Sequence, residues 1–444
     1  MDIKTVKLNN LGRFEELEAN FAPTSELLGN VTVFIGNNGA GKTSILKAIA
    51  TSLSWFVARM RSEKSNGSPI PEMVISNGKN FASIEMTVSD SSDHTWILAK
   101  TRKGKKANIS TNLHDLTNLV DCYRTQLTNH SETSLPLIAF YPVERVVIDI
   151  PLKIREKHNF FQLDGYDNAL NQGVDFRRFF EWFREREDSE NEQSLPQDAL
   201  KKILDALDDN DIARNKVSEL MQSSKDRQLT AVRNAIASFM PNFTNLRVRR
   251  KPRLYMSIDK DGETLNVLQL SQGEKSLMAL VGDIARRLAM MNPALENPLH
   301  GDGIVLIDEV DMHLHPTWQR SIIERLTATF PNCQFILTSH SPLVISDCKN
   351  VLVYSIEDGD LTIVPSQYGQ DANTVLLDVM STNIRNAKIN QQINDLLDLI
   401  QENKLEQARS LLAQLTAELP YNNLELIKAK MFLRKQELKN AQNH

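Results

Sequence analysis

Cysteine is scarce in this chain: its 444 residues contain three, Cys122, Cys333 and Cys348. They show no metal-ligand spacing and no disulfide framework, so the fold must rest on its apolar core. Long apolar runs are absent too. Nothing near eighteen consecutive apolar residues occurs, and no apolar segment follows Met1-Asp2-Ile3-Lys4, which argues against a membrane span or a secretory leader. The chain is therefore expected to be cytoplasmic and to have no membrane partner. An excess of positive charge is missing as well. The net charge of −5 at pH 7 suits poorly a protein that coats nucleic acid through its phosphates. No Asn-Lys-x-Asp phrase is present, which argues against guanine specificity, and no low-complexity tract interrupts the chain. What remains is 41% apolar residues, enough for a sizeable core, and a length that suggests two or three compact units.

Four short phrases stand in a fixed order. Gly36-Asn37-Asn38-Gly39-Ala40-Gly41-Lys42-Thr43 has the form of a phosphate-binding loop, Walker A. Val31–Ile35 before it is a β-branched and aromatic run that predicts a buried strand, and Ile45, Leu46, Ile49, Leu53 and Phe56 after it have helical spacing. Strand, glycine loop and helix form an anion cradle: the backbone N–H groups curl around phosphates and the helix N-terminus adds partial positive charge. Lys42 then reaches the β- and γ-phosphates, and the Thr43 hydroxyl takes a place on Mg²⁺. Ile304–Ile307 predicts a second buried strand that delivers Asp308, for Mg²⁺, and Glu309, for the attacking water, at its C-terminal end. Cys333–Leu337 predicts a third, ending in Thr338-Ser339-His340, which puts His340 beside the γ-phosphate.

Leu270-Ser271-Gln272-Gly273-Glu274 supports two readings. A serine followed three residues later by glutamate is an ordinary capping box for the helix expected over Lys275–Met290. Equally, Ser271 and Gly273 at that helix N-terminus present a hydroxyl and N–H groups to a γ-phosphate held by another subunit. The position before the Asp308–Glu309 strand favours the second.

In this order the phrases resemble the ATP-binding cassette head of transporters and SMC-like ATPases. Gln272 and Glu274 depart from the commoner transporter signature and suit the SMC-like branch. A narrower likeness is to compact ATPases of bacterial defence. Asn9-Asn10-Leu11-Gly12-Arg13-Phe14 before the loop looks like that group, and Asp308 through His313, His315 and Pro316 is similar to the acidic, histidine and proline phrase of OLD-type and PtuA-type ATPases. Pro142-Val143-Glu144-Arg145 and Tyr368-Gly369-Gln370-Asp371 resemble PtuA, the ATPase of Septu and of some retron systems. The resemblance implies ATP and Mg²⁺ as cofactors and a homodimer or higher oligomer. It also implies an HNH nuclease partner of the PtuB kind and, in the retron form, a reverse transcriptase with its DNA.

The expected fold is α/β: a P-loop NTPase sheet making an ABC-ATPase head, with an inserted helical lobe and a C-terminal helical region. Residues 1–150 form the lobe with the phosphate loop, 151–245 the helical insertion with helices at Phe176–Phe183 and Leu200–Leu207 and breaks at Pro196 and Pro241. Residues 246–380 carry the signature, the Asp308–Glu309 strand and His340, and 381–444 a final pair of helices. Sustained heptads are missing, which excludes a long SMC-type arm. Residues 81–103 alternate as a hairpin should, with the basic run Lys100–Lys106 at its tip. Arg247–Arg253 predicts a strand with solvated charges. His313 and His315 lack further zinc ligands and are expected to track a dimer interface with Asp311.

Two function classes follow. One is a regulatory ATPase that holds or releases a partner nuclease. The other is a RecF-like DNA-repair ATPase acting on DNA directly. A nuclease of the OLD kind needs a Toprim domain after His340, where 104 residues remain and the acidic cluster Glu357-Asp358-Gly359-Asp360 reads as a turn.

Overall fold

The structure is a computed structural model that describes residues 1–130, 132–143, 160–171, 173–193, 225–380 and 386–442. It divides into two compact units, Met1–Ala372 and Asn373–His444. The first is built on a six-stranded sheet in the order β13 (Asp360–Val364), β12 (Val351–Glu357), β3 (Val31–Gly36), β11 (Cys333–Thr338), β10 (Gly303–Ile307), β6 (Leu137–Tyr141). All but β13 run parallel. β6, β10 and β11 are buried at every position, which is why their sequences are apolar runs without alternation. β11 lies between β3 and β10, so the C-terminal ends of these three strands open on one edge.

α1 (Lys42–Arg61) follows β3 directly and buries Ile45, Leu46, Ile49, Leu53 and Phe56, the helical stripe expected, though the helix runs longer. A second sheet is antiparallel, in the order β2 (Phe14–Asn20), β1 (Asp2–Leu11), β4 (Phe81–Ser89), β5 (Asp93–Thr101), and α2 (His114–Asn129) packs on β5. Buried Gln334 of β11 links it to the core: its side-chain oxygen accepts from the Ile3 N–H (2.8 Å), and its amide donates to the carbonyls of Ile3 (2.8 Å) and Ala22 (2.7 Å). The hairpin turn lies between Ser89 and Asp93. The run Lys100–Lys106 is thus not the tip as expected; it lies at the far end of β5, where Arg102 donates to the carbonyls of Ile75 and Lys79 (both 2.9 Å).

α3 (Phe176–Gln193) extends well past Phe183, and α4 (Arg227–Phe239) ends before Pro241. The helix expected over Leu200–Leu207 and the break at Pro196 lie outside the described residues. β7 (Phe243–Arg249), β8 (Tyr255–Lys260) and β9 (Glu263–Asn266) make a small antiparallel sheet, with Arg247 and Arg249 of β7 exposed as expected. α5 (Gln272–Met291), α6 (Pro316–Thr329) and the short α7 (Pro342–Ser346) complete the surroundings of the site.

Past a short helix at Ala372–Asp378, the described residues of the second unit form three longer helices rather than a pair: α8 (Ala387–Gln401), α9 (Leu405–Glu418) and α10 (Leu424–Gln442). Ile393, Leu396 and Ile400 of α8, Ala408 and Leu415 of α9, and Leu426, Ala429 and Leu433 of α10 form its core. α10 escaped the sequence reading because its apolar residues fall on more than one face, with lysines between them, so no single helical stripe stands out.

Candidate functional site

β3 hands the chain to the loop Gly36–Thr43, which turns through left-handed residues at Gly39 (φ 77°) and Gly41 (φ 109°). Gly41 is also the N-cap of α1, and a Cβ there would lie 2.5 Å from the Phe14 ring. Glycine is required twice over, by backbone and by space. The Asn9–Phe14 phrase therefore closes on the phosphate loop through an aromatic ring. Lys42 is buried, and its ammonium donates to the carbonyls of Gly36 (2.8 Å) and Asn37 (3.0 Å). Burial pulls its pKa below the ordinary lysine value against the opposing pull of Glu309, Asp308 and Asp311.

Asp308 emerges from β10 between two hydroxyls. Thr43 Oγ1 donates to one carboxylate oxygen (2.7 Å) and Thr338 Oγ1 to the other (2.6 Å). The Thr338 hydroxyl also accepts from the Glu309 N–H (2.7 Å). That second bond matters because Glu309 has φ 47°, a left-handed conformation that costs a non-glycine residue of order 1–3 kcal/mol unless its surroundings impose it. The strain points the chain sharply away from β10 and leaves Glu309 half-buried at the sheet edge. His340 Nε2 lies 3.8 Å from Glu309 Oε1. Ser339 Oγ donates to Asp311 Oδ1 (2.6 Å), fastening the Asp311–His315 loop to the end of β11. A cavity of about 990 Å³, lined in part by Thr43, Lys47, Asp308, Pro142, Val143 and Asn171, opens beside Thr43 and Asp308.

Lys42, Thr43, Asp308, Glu309 and His340 thus come together from three neighbouring strands. Ser271 and Gly273 do not join that cluster through hydrogen bonds of their own. Ser271 is the N-cap of α5: its hydroxyl accepts from the Glu274 N–H (3.4 Å), while the Glu274 carboxylate accepts from the Ser271 N–H and hydroxyl (both 2.9 Å). Lys260 Nζ holds the other Glu274 oxygen at 2.7 Å. The capping box is therefore realised. Gly273 meets the Asp311–His315 loop, where a Cβ would lie 2.5 Å from the His313 carbonyl. His315 is the N-cap of α6, accepting from the Thr317 N–H at 3.4 Å. Among the described residues no group of three or more His, Cys, Asp and Glu is arranged to hold a metal.

Behind the site lies a charged network that sequence reasoning missed. Asp283, Arg286 and Arg287 of α5 are fully buried, as is Tyr141 at the end of β6. The Asp283 carboxylate accepts from Arg286 and Arg287 (both 2.7 Å) and from the Tyr141 hydroxyl (3.0 Å). Arg287 also donates to the carbonyls of Gly165 (2.6 Å) and Asp167 (3.0 Å), while Arg286 Nε has no partner among the described residues. Burial alone would raise the Asp283 pKa, but the two guanidiniums outweigh it and hold the carboxyl below its ordinary range. Tyr141 also accepts, through its carbonyl, from the Asp308 N–H (2.9 Å). The signature helix is thereby joined to the Asp308 backbone through one residue. Thr338 was missed as well, although it belongs to the Thr338-Ser339-His340 phrase. A β-branched hydroxyl closing an otherwise apolar strand was the signal available.

Residues 5–244 match the family described as AAA domain, and residues 144–346 match a second AAA-domain family. The "Retron Ec83 probable ATPase" of Escherichia coli is 35% identical over 393 residues, 80% of this chain and 72% of that protein. The "Retron Vc95 probable ATPase" of Vibrio cholerae serotype O1 biovar El Tor is 31% identical over 402 residues, 84% of this chain and 78% of that one. The Septu protein PtuA of Bacillus mycoides (strain KBAB4) is 37% identical over 113 residues, 24% of this chain and 15% of its own length. With a phosphate loop and an Asp–Glu strand end brought together at one sheet edge, an AAA-domain match over more than half of the chain, and relatives matched over most of both chains, this protein belongs to the retron ATPase family of AAA-domain ATP hydrolases.

Proposed function

We propose that the chain hydrolyses ATP between two copies of itself and passes its nucleotide state to a partner nuclease in bacterial antiviral defence. The observation that carries the chemistry is the Thr43–Asp308–Thr338–Glu309 cluster, in which one carboxylate is held by two hydroxyls at the mouth of the phosphate loop. Such an oxygen set suits Mg²⁺, with Thr43 and Asp308 as its holders. When bound, that ion neutralises charge on the transferring phosphoryl group. Lys42 leaves its loop carbonyls for the β- and γ-phosphates, and the N-terminus of α1 adds N–H donors. Glu309 orients the attacking water and takes its proton, with His340 at hand for the γ-phosphate.

The assembly reading rests on Ser271 and Gly273, whose helix N-terminus is suited to a phosphate yet makes its hydrogen bonds away from Lys42. Pairing head to tail gives each nucleotide Lys42 from one chain and Ser271 from the other. Mixing Lys42→Ala with Ser271→Arg protein tests this. One site of the mixed pair then carries both lesions and the other none, so an equal mixture should recover toward about a quarter of the wild-type ATP turnover, since half of the pairs are mixed and each has one intact site. No recovery on mixing means that each site is complete within one chain. The resemblance to PtuA makes an HNH nuclease the partner of this reading and, in the retron setting that the relatives' names point to, a reverse transcriptase with its DNA. Plasmid cleavage by the purified chain, lost on substituting Asp358 and Asp360 in the β12–β13 turn, would instead make it a nuclease of the OLD kind.

A further inference from the structure

α10 has two apolar faces, and its own unit covers one of them. Leu426, Ala429 and Leu433 point into the three-helix core. On the opposite side Leu424 (71% exposed), Ile427 (38%), Met431 (68%) and Leu438 (59%) stand in solvent. At 3.6 residues per turn these four fall within a sector of about 60°, and Leu424, Met431 and Leu438 repeat at the heptad interval. Large apolar side chains exposed singly are ordinary, but four aligned on one face mark an interaction surface rather than scatter.

The charges beside the stripe identify what fits it. α10 carries five Lys and Arg against two Glu. Both glutamates are engaged locally, Glu437 with Arg409 (2.7 Å) and Glu425 with Lys428 (3.2 Å). Arg434 borders the stripe on one side, Lys435 and Lys439 on the other, and all three are exposed. A second copy of the helix would set these cations against their own kind, and like charges along the edges of a helix pair are destabilising. A lipid surface suits a helix whose apolar face is broad and unbroken, whereas Phe432, the other large apolar residue exposed on this helix (52%), is divided from the seam by the lysine edge of Lys435 and Lys439. A narrow heptad seam with cations on both sides is the complement of another helix with acidic edges.

We propose that this face of α10 docks an amphipathic helix with acidic flanks supplied by a different protein. The proposal concerns the second unit alone and does not depend on the nuclease reading. Its test uses the full-length protein and fluorescent three-heptad peptides followed by anisotropy. One peptide has Leu at positions a and d with Glu at e and g; a second replaces Glu by Lys; a third keeps Glu but has Ser at a and d. The Leu/Glu peptide should bind, and the other two should bind at least about tenfold more weakly. Met431→Asp, at an exposed position, should abolish that binding. The charge-reversed variant with Arg434→Glu, Lys435→Glu and Lys439→Glu should switch preference to the Leu/Lys peptide, a gain that misfolding cannot produce. Equal binding of the Ser/Glu peptide would reduce the surface to a general anion site and overturn the proposal. So would self-association in sedimentation velocity, or binding to phosphatidylcholine–phosphatidylglycerol vesicles, that Met431→Asp removes.

Discussion

Two buried carboxylates, Asp308 and Asp283, meet at Tyr141 and are held in opposite ways. The Asp308 N–H donates to the Tyr141 carbonyl, and the Tyr141 hydroxyl donates to the Asp283 carboxylate. Asp308 is gripped by two neutral hydroxyls, which supply hydrogen bonds but no countercharge. Asp283 is gripped by two guanidiniums, and the cluster of one anion and two cations is sealed from water. Separating such charges costs far more than their net contribution to stability. The difference suits the proposed division of labour: Asp308, held without a countercharge, is the carboxylate assigned to the metal, and Asp283, locked between two guanidiniums, ties α5 to the strand end beside it.

The contrast can be broken from either side. Glu309→Gln, on the chemical side, should slow ATP turnover by about two to four orders of magnitude while leaving nucleotide binding intact, the usual worth of a general base. Steady-state turnover beside equilibrium nucleotide titration checks this, and unchanged turnover removes Glu309 from the mechanism. Asp283→Asn, on the framework side, leaves two guanidiniums buried together and should cost about 3–5 kcal/mol of stability. Denaturant unfolding reads it directly, and a loss below about 1 kcal/mol would mean that water reaches the cluster. Thr338→Val keeps shape but removes the hydroxyl shared by Asp308 and Glu309. It should lower turnover or metal affinity by about 10–100-fold, the scale of lost outer-shell hydrogen bonds, and cost about 1–3 kcal/mol in unfolding, since two hydrogen bonds lose their partner.

A smaller effect is pH-dependent. The Asp283 carboxyl is held below its ordinary range by Arg287 and Arg286, whose pull exceeds the opposing effect of burial. A depressed folded-state value gives stability that is fully present above the unfolded carboxyl pKa of about 3.9 and lost as pH falls through the folded value. The stability gap between wild type and Asp283→Asn should therefore be flat from neutral pH down to about pH 5 and shrink below about pH 4. A gap that instead closes between pH 5 and 7 would place the Asp283 titration in the wrong range.

Much of the head was legible because its signals are contiguous. The strand, loop and helix around Lys42 follow one another in the chain, and the Asp308–Glu309 and Thr338–His340 phrases each end an apolar strand. The second carboxylate was illegible for the converse reason: Tyr141 and Asp283 are 142 positions apart, and Asp283, Arg286 and Arg287 look on paper like the solvated face of a helix. Only the packing of α5 against β6 turns that face inward. The basic run after Lys100 was misplaced because charge predicts solvent, whereas Arg102 is occupied capping carbonyls. α10 hid because periodicity detects one apolar face, and this helix has two.

Gly273 meets the His313 carbonyl so closely that a methyl group would not fit between them, and Asp311 of the same loop is tied to Ser339. In a head-to-tail pair each chain contributes the loop side of one nucleotide site and the helix side of the other. The glycine contact then makes those two half-sites parts of a single rigid piece. If the pair forms as proposed, occupancy of one site would be felt at the second through that contact, a coupling free energy that acts equally in both directions. ATP saturation of the pair should accordingly depart from a simple hyperbola, and widening the contact with Gly273→Ala should return the curve toward independent sites.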